Sequence, residues 1–302
     1  MLIPLCQAGN GPATLRPFIN AGNLQGLLPG SGAPDLLQGL PALESLRAHG
    51  FEGIQGVAEH LVPVCHRVGL TTAASGRILQ PAEIHDQALR WRDAGHACAT
   101  LHVGTGMEED AEADRLCAAV ISAADRSGLP LFVETHRATI TQDQWRTVHL
   151  VRRHPDLRFN GDFSHWYTGQ EMPYGDFEER LDFLMPVFER TRFFHGRIGN
   201  SGCIQVALQD PSAPVAVQHF RAMWTRCLQA FRAKACPGAW IAFAPELLDP
   251  VYHYARCRPT VDGVWSEEGD RWQDALELIR IITECWNEAG AANASISDSV
   301  AI

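Results

Sequence analysis

Apolar residues in this chain gather into short runs, and amphipathic stretches with helical spacing separate those runs. Short apolar runs bounded by polar or turn residues read as strands, and apolar positions returning every three or four residues read as the buried face of a helix. Eight strands are predicted: Pro17–Gly22, Gly53–Val57, Gly69–Ala74, Ala97–Val103, Pro130–Thr135, Leu157–Phe163, Arg192–Ile198 and Ala239–Leu247. Helices are predicted between them over Leu36–His49, Ala58–Arg67, Pro81–Ala94, Ala111–Ser127, Gln142–His154, Phe177–Glu189 and Val215–Ala235, with a last one over Glu267–Ala289. Pro81 suits a first helical turn, and Gly50, Gly95 and Gly128 stand where C-terminal caps belong. Strands alternating with helices predict a parallel sheet, and eight is the number that closes it. The expected fold is therefore α/β, a single-domain (β/α)8 TIM barrel with long loops at its C-terminal face.

Two connections exceed a plain turn. Asn23–Pro34 is rich in Gly and Pro, and Gly199–Pro214 follows the seventh strand. Loops of that length usually carry function. The barrel is expected over residues 1–290, and 291–302, small and polar, is expected to be a disordered tail.

Composition narrows the function classes. A hydrophobic content of 46% and no apolar run near the ~20 residues of a membrane span predict a soluble globular protein. The first residues lack a basic region followed by a sustained apolar one, so no secretory signal is expected. Nine scattered cysteines with no CxxC pair read as reduced thiols, and together these features predict a cytoplasmic location. A net charge of −10 argues against a nucleic acid as partner. A small polyhydroxylated molecule fits that balance better, and neither membrane nor nucleic acid is expected to bind.

Four of the strand-like runs end on a metal-ligand side chain. They are Leu129–Glu134 (LPLFVE), Leu157–Asp162 (LRFNGD), Thr191–His195 (TRFFH) and Trp240–Glu246 (WIAFAPE). A strand-end acid paired to Arg137 would account for Glu134 alone, and a turn-initiating role would account for Asp162. His195 closes an aromatic strand and needs partners for its ring nitrogens. Glu246, between AFAP and LL, would be a desolvated carboxylate, which a metal or a basic partner must offset. A parallel barrel delivers all such strand ends to one mouth. Three carboxylates and one imidazole suit a hard or borderline divalent ion: Mn²⁺ first, with Mg²⁺, Co²⁺ and Zn²⁺ as alternatives.

Taken together, ETHR, DFSHW, HGRIG followed by IQV, and PEL resemble the sugar phosphate isomerase/epimerase members of the xylose isomerase-like TIM-barrel superfamily. The resemblance covers about residues 95–250 strongly and the first ninety weakly. It implies that Glu134, Asp162, His195 and Glu246 bind one divalent metal, and that Glu134 and Glu246 are the catalytic acid and base. It further implies that His165, in the D-x-x-H pattern, and Arg197 touch substrate oxygens. Arg197 follows the histidine by two residues, where the family's ketose 3-epimerases place their arginine further downstream. Barrels of this family often pair, so a homodimer or homotetramer is an expectation of the same kind.

The function that follows is a divalent-metal-dependent isomerase or epimerase acting on a small sugar or keto-sugar by proton abstraction next to a carbonyl. The alternative on the same site is a lyase or dehydratase eliminating from a keto-sugar or a 3-keto-glycoside, for which His102 and His136 are candidate acids or bases. Gln205 and Asn200, in the loop after His195, are candidate substrate contacts, and Trp166 a candidate pocket wall. Trp91, Trp145, Trp224 and Trp272 fall on helical segments and are expected in the core. Less favoured are an apurinic endonuclease, for which no Asp-x-His pair lies between His195 and Glu246, and a non-catalytic sugar-binding subunit. Without a GxxxxGK[ST] loop or a tight basic cluster, the expected sugar is not phosphorylated.

Overall fold

The computed structural model describes residue 5, residues 11–27 and residues 30–300, with side chains described as far as Ala291. Eight parallel strands close a barrel in sequence order. They are β1 (Thr14–Asn20), β2 (Gly53–Gln55), β3 (Thr71–Ile78), β4 (Cys98–Val103), β5 (Leu131–Glu134), β6 (Phe159–Gly161), β7 (Thr191–Gly196) and β8 (Trp240–Pro245), and β8 returns to pair with β1. Helices α1 (Leu40–Ala48), α2 (Val62–Arg67), α3 (Ile84–Asp93), α4 (Asp110–Ser127), α5 (Gln144–Arg153), α6 (Ser164–Gly169), α7 (Phe177–Phe188), α8 (Ala213–Lys234) and α9 (Arg271–Val300) connect and surround them. In α4 the buried residues Ala113, Leu116, Cys117, Val120 and Ala124 keep the three-and-four spacing that turns one face inward. Gly128 ends that helix in the left-handed region, at φ 75°, and its N–H closes on Ala124 O.

All eight predicted strands form, and two strand limits and one helix limit differ from expectation for local reasons. The first strand is Thr14–Asn20 and not Pro17–Gly22, because Asn20 Oδ1 accepts from Gly22 N at 2.8 Å and starts a 3-10 turn over Ala21–Leu24. Strand β3 continues to Ile78, where pairing with Val103 of β4 supplies its hydrogen bonds. The last helix starts at Arg271 and not at Glu267. Asp270 Oδ1 accepts from Trp272 N and Gln273 N and caps it. Glu267 belongs instead to an antiparallel hairpin of β9 (Cys257–Pro259) and β10 (Trp265–Glu267) that, like α6, was too short to carry a periodic signal. Trp224 and Trp272 are buried as expected and Trp91 is half-buried, but Trp145 is exposed and stacks on His149 at the outer side of α5.

Helix α9 runs into the expected tail as far as Val300, and the side chains beyond Ala291, like the loop positions 28–29, lie outside the described residues. No helix among the described residues is long and apolar enough to cross a membrane. Cys65, Cys98, Cys117, Cys203, Cys227, Cys257 and Cys285 are free thiols, and Cys6 lies outside the described residues.

The period of two along each strand sorts side chains between the barrel interior and the helices. Ile19, Ile54, Leu101, Val133, Phe194, Ile241 and Phe243 join the core beneath the helices. Phe18, Ala73, Cys98, Phe132, Phe193, Trp240, Ala242 and Ala244 fill the barrel itself. Two residues further along the same inward rows, the side chains turn polar: Phe18 gives way to Asn20, Phe132 to Glu134, Phe193 to His195, and Ala244 to Glu246. An apolar floor thus carries a polar layer at the C-terminal ends of the strands.

Candidate metal centre

Glu134 closes β5, Asp162 follows β6, His195 sits in β7 and Glu246 follows β8. One ligand atom from each lies within 4.8 Å of those of the other three. His195 stands in the middle. Its Nδ1 is 3.2 Å from Glu246 Oε2, 3.3 Å from Glu134 Oε2 and 4.0 Å from Asp162 Oδ2, yet it makes no hydrogen bond of good geometry to any of them. The four residues brought together are the four that the strand ends predicted.

A ring of neutral side chains holds these groups in place. His195 Nε2 donates to Gln55 Oε1 at 2.8 Å, and Gln55 Nε2 donates to Thr100 Oγ1 at 2.6 Å. Asn20 Nδ2 donates to Gln55 Oε1 at 3.0 Å and to Glu246 Oε1 at 2.8 Å. Asn160 Nδ2 donates to Glu134 Oε2 at 3.1 Å. Asn20, Gln55, Thr100 and Asn160 were not singled out in the sequence. Each occupies an inward strand position just below the mouth, and that register was their only available signal.

Arg197 is the cation of the site. It is 1% exposed, bonds Asp162 Oδ2 through Nη2, reaches Glu246 Oε2 at 2.9 Å, and donates from Nε to Ser164 Oγ at 3.2 Å. Ser164 Oγ donates in turn to Asp162 Oδ1 at 2.5 Å. Burial pushes the Asp162 carboxyl upward, but Arg197 and His165 outweigh it and hold the group down at about 2. His165 is buried, its Nε2 3.5 Å from Asp162 Oδ2, and among the described residues neither ring nitrogen makes a hydrogen bond. Tyr254, from the loop before β9, covers this corner. Its ring lies 4.9 Å from Arg197 Cζ and 5.2 Å from Arg137 Cζ. No motif announced Tyr254, since the loop that brings it back lies beyond the last strand.

The remaining sequence candidates divide. His102, at the end of β4, donates from Nε2 to Glu134 Oε1 at 3.0 Å and keeps 35% of its side chain exposed. His136 packs between His102 and His165, its ring tilted against both, with centroids 4.3 and 3.9 Å away. Gln205 is engaged at both ends of its amide, donating to Leu248 O at 3.0 Å and accepting from Leu248 N at 2.8 Å. Asn200 is likewise taken up locally, accepting from Cys203 N at 2.7 Å and donating to Ser212 Oγ at 3.1 Å. Trp166 is fully buried and donates to Thr141 O at 2.8 Å.

The donor set fits a divalent cation. Burial drives the Glu134 carboxyl upward, but His195 and His102 hold it well below the usual carboxylate range. Burial also disfavours a charged His195, yet Glu246 and Glu134 raise the ring well above the ordinary histidine value. The carboxylates therefore create a demand for positive charge that a proton on His195 meets only in part. A cation bound to Glu134, Asp162, Glu246 and His195 Nδ1 would displace that proton, while the Nε2–H stays on Gln55.

Known structures match this architecture. A xylose isomerase domain protein from Planctomyces limnophilus is 12% identical over 94% of this chain and 100% of its own, with a TM-score of 0.53. A xylose isomerase-like TIM-barrel protein from Mycobacterium smegmatis, in complex with magnesium, is 12% identical over 91% and 98%, with a TM-score of 0.52. A sugar phosphate isomerase/epimerase from Parabacteroides distasonis is 10% identical over 88% and 97%, with a TM-score of 0.51. What the chain shares with them is the closed barrel of eight parallel strands. At such identities the likeness is one of fold. No protein-family model matches the chain, and no curated protein matches it.

Proposed function

We propose that this protein is a divalent-metal-dependent isomerase or epimerase acting on a small sugar or keto-sugar by proton abstraction next to the carbonyl. The observation that carries this is the arrangement of Glu134 and Glu246. Asn20 anchors Glu246 through Oε1 and leaves Oε2 facing the central His195, whereas Glu134 meets both Asn160 and His195 at Oε2 and His102 at Oε1. A divalent ion held by Glu134, Asp162, His195 and Glu246, with Mn²⁺ the first candidate, would polarise a carbonyl and acidify the C–H beside it. The protein supplies the rest. Glu246 is 14% exposed at the mouth and receives the proton. Glu134, three strands away on β5, returns one that the partly exposed His102 supplies through the Nε2–H it rests on Glu134 Oε1. Asn20 and Asn160 fix the carboxylate planes, so that proton transfer needs no reorganisation of the site.

Elimination from a keto-sugar or 3-keto-glycoside is the second reading, and His102 favours it. Its Nε2–H rests on Glu134 and its ring is open to the mouth, so the pair could hand a proton to a departing oxygen.

The test is solvent exchange. Protein with Mn²⁺ is incubated in D₂O with a panel of ketoses and keto-glycosides and followed by NMR. Deuterium entering next to the carbonyl with the skeleton intact supports isomerase or epimerase action, and loss of a substituent selects the lyase. Glu246→Gln should abolish both while the barrel stays folded. Full exchange by that variant would sink the assignment.

A further inference from the structure

His102, Glu134 and His136 also bring ligand atoms within 4.8 Å of one another. On distance alone they form a place for a second cation that shares Glu134 with the first. The hydrogens rule against it. Ala138 N–H donates to His136 Nδ1 at 3.0 Å, so that nitrogen presents its lone pair and the ring hydrogen sits on Nε2. A cation at Nε2 would have to strip that hydrogen, or force one onto Nδ1 against the amide. His102 Nε2 is committed in the same sense, with its hydrogen on Glu134 Oε1 at 3.0 Å.

The arrangement is braced from several sides. His136 N donates to Thr141 Oγ1 at 3.1 Å, Thr139 Oγ1 donates to His136 O at 2.8 Å, and Thr141 Oγ1 donates to Glu134 O at 2.6 Å. The ring is wedged between those of His102 and His165. It cannot turn without breaking the Ala138 bond and disturbing both neighbours. Among the described residues, His136 Nε2 has no hydrogen-bond acceptor, although every other polar atom of this residue is engaged.

We infer that His136 is a preset Nε2–H donor for the substrate oxygen that gains negative charge, and that the trio of His102, Glu134 and His136 holds no second cation. The inference rests on the isomerase reading for the identity of that oxygen. The hydrogen is not transferred. The bond strengthens as charge builds on the acceptor and so favours the transition state over the bound substrate. A base role for His136 is excluded by the same geometry, because one nitrogen is capped by an amide and the other already carries hydrogen.

The test reads the ring directly. Protein labelled with ¹⁵N-histidine is examined by long-range ¹H–¹⁵N correlation, with His136→Gln to assign the signals, and Zn²⁺ alone is titrated into both proteins. The expected result is a His136 ring protonated at Nε2 and one equivalent of Zn²⁺ in each protein. On a substrate found by deuterium exchange, His136→Ala should lower kcat roughly 10²- to 10³-fold, and His136→Gln, which keeps an N–H donor, should recover part of the loss. A ring protonated at Nδ1, or a second Zn²⁺ equivalent lost in His136→Gln, would overturn the inference. If no Zn²⁺ binds to either protein, the metal reading above fails, and the protonated nitrogen still decides the role of His136.

Discussion

His195 and Gln55 stand 140 residues apart in the chain and meet at 2.8 Å, with the imidazole Nε2–H on the amide oxygen. That bond leaves Nδ1 as the nitrogen facing Glu134, Asp162 and Glu246. Replacing Gln55 with Leu removes the acceptor and frees the ring to change tautomer. Metal affinity should fall roughly 10- to 100-fold with the fold kept, as it does when such outer partners of a ligating histidine are lost. Chelator competition measures it, and unchanged affinity would remove Gln55 from the site.

Arg197 makes a different prediction, because it neutralises two of the carboxylates that a cation would also neutralise. Arg197→Met leaves the buried Asp162 and the partly exposed Glu246 without their partner, and breaking the buried pair with Asp162 costs roughly 3–5 kcal/mol. The loss should be large in chelator and smaller with saturating Mn²⁺. Denaturant unfolding under both conditions checks it. Equal losses would mean that no cation reaches these carboxylates.

Gly196 separates His195 from Arg197, and the reason is spatial. A Cβ there would lie 2.3 Å from Phe243 Cζ and 2.4 Å from its Cε1. Gly196→Ala must therefore push β7 away from β8, at about 1–3 kcal/mol for the overpacking. It should also weaken metal binding, since His195 moves with the strand. Stability and affinity measured together test this, and a loss of stability with unchanged affinity would show that the strain is absorbed elsewhere.

Asp274, in the first turn of α9, should make stability depend on pH away from the metal centre. It is 4% exposed and accepts from Leu208 N and from Gln209 Nε2, each at 3.3 Å. Burial pushes its carboxyl from 3.8 up to about 6, against the hydrogen bonds from Leu208 and Gln209. Between those values the folded protein holds a proton that the unfolded chain does not. The contribution is therefore full below about pH 4 and lost as pH rises through about 6. Unfolding at pH 5 and pH 7.5 should show wild type losing roughly 1 kcal/mol more than Asp274→Asn over that interval. Parallel pH profiles for the two proteins would refute it.

Much of this was legible in the sequence because barrel geometry turns a one-dimensional signal into a three-dimensional one. An apolar run ending on Glu134, Asp162, His195 or Glu246 needs only the closed parallel sheet to meet the other three. The strand limits were less legible. Where β1 stops is decided by the Asn20 side chain bonding Gly22 N, and where β3 stops is decided by its pairing with β4. Neither cause lies in the apolar pattern.

The chain by itself determined the strand count, the alternation with helices and the four strand-end side chains of the candidate metal centre, because each follows from local periodicity and from the chemistry of single residues. Only the tertiary structure decided which neutral residues hold those side chains. Asn20, Gln55 and Asn160 look like ordinary polar positions until the register of β1, β2 and β6 turns them into the barrel beneath Glu246, His195 and Glu134. It also decided that Gln205 spends its amide on Leu248, that Tyr254 returns over Arg197, and that an amide hydrogen from Ala138 sets the His136 ring. Hydrogen-bond direction and packing across distant segments are properties of the folded arrangement, and no spacing along the chain encodes them.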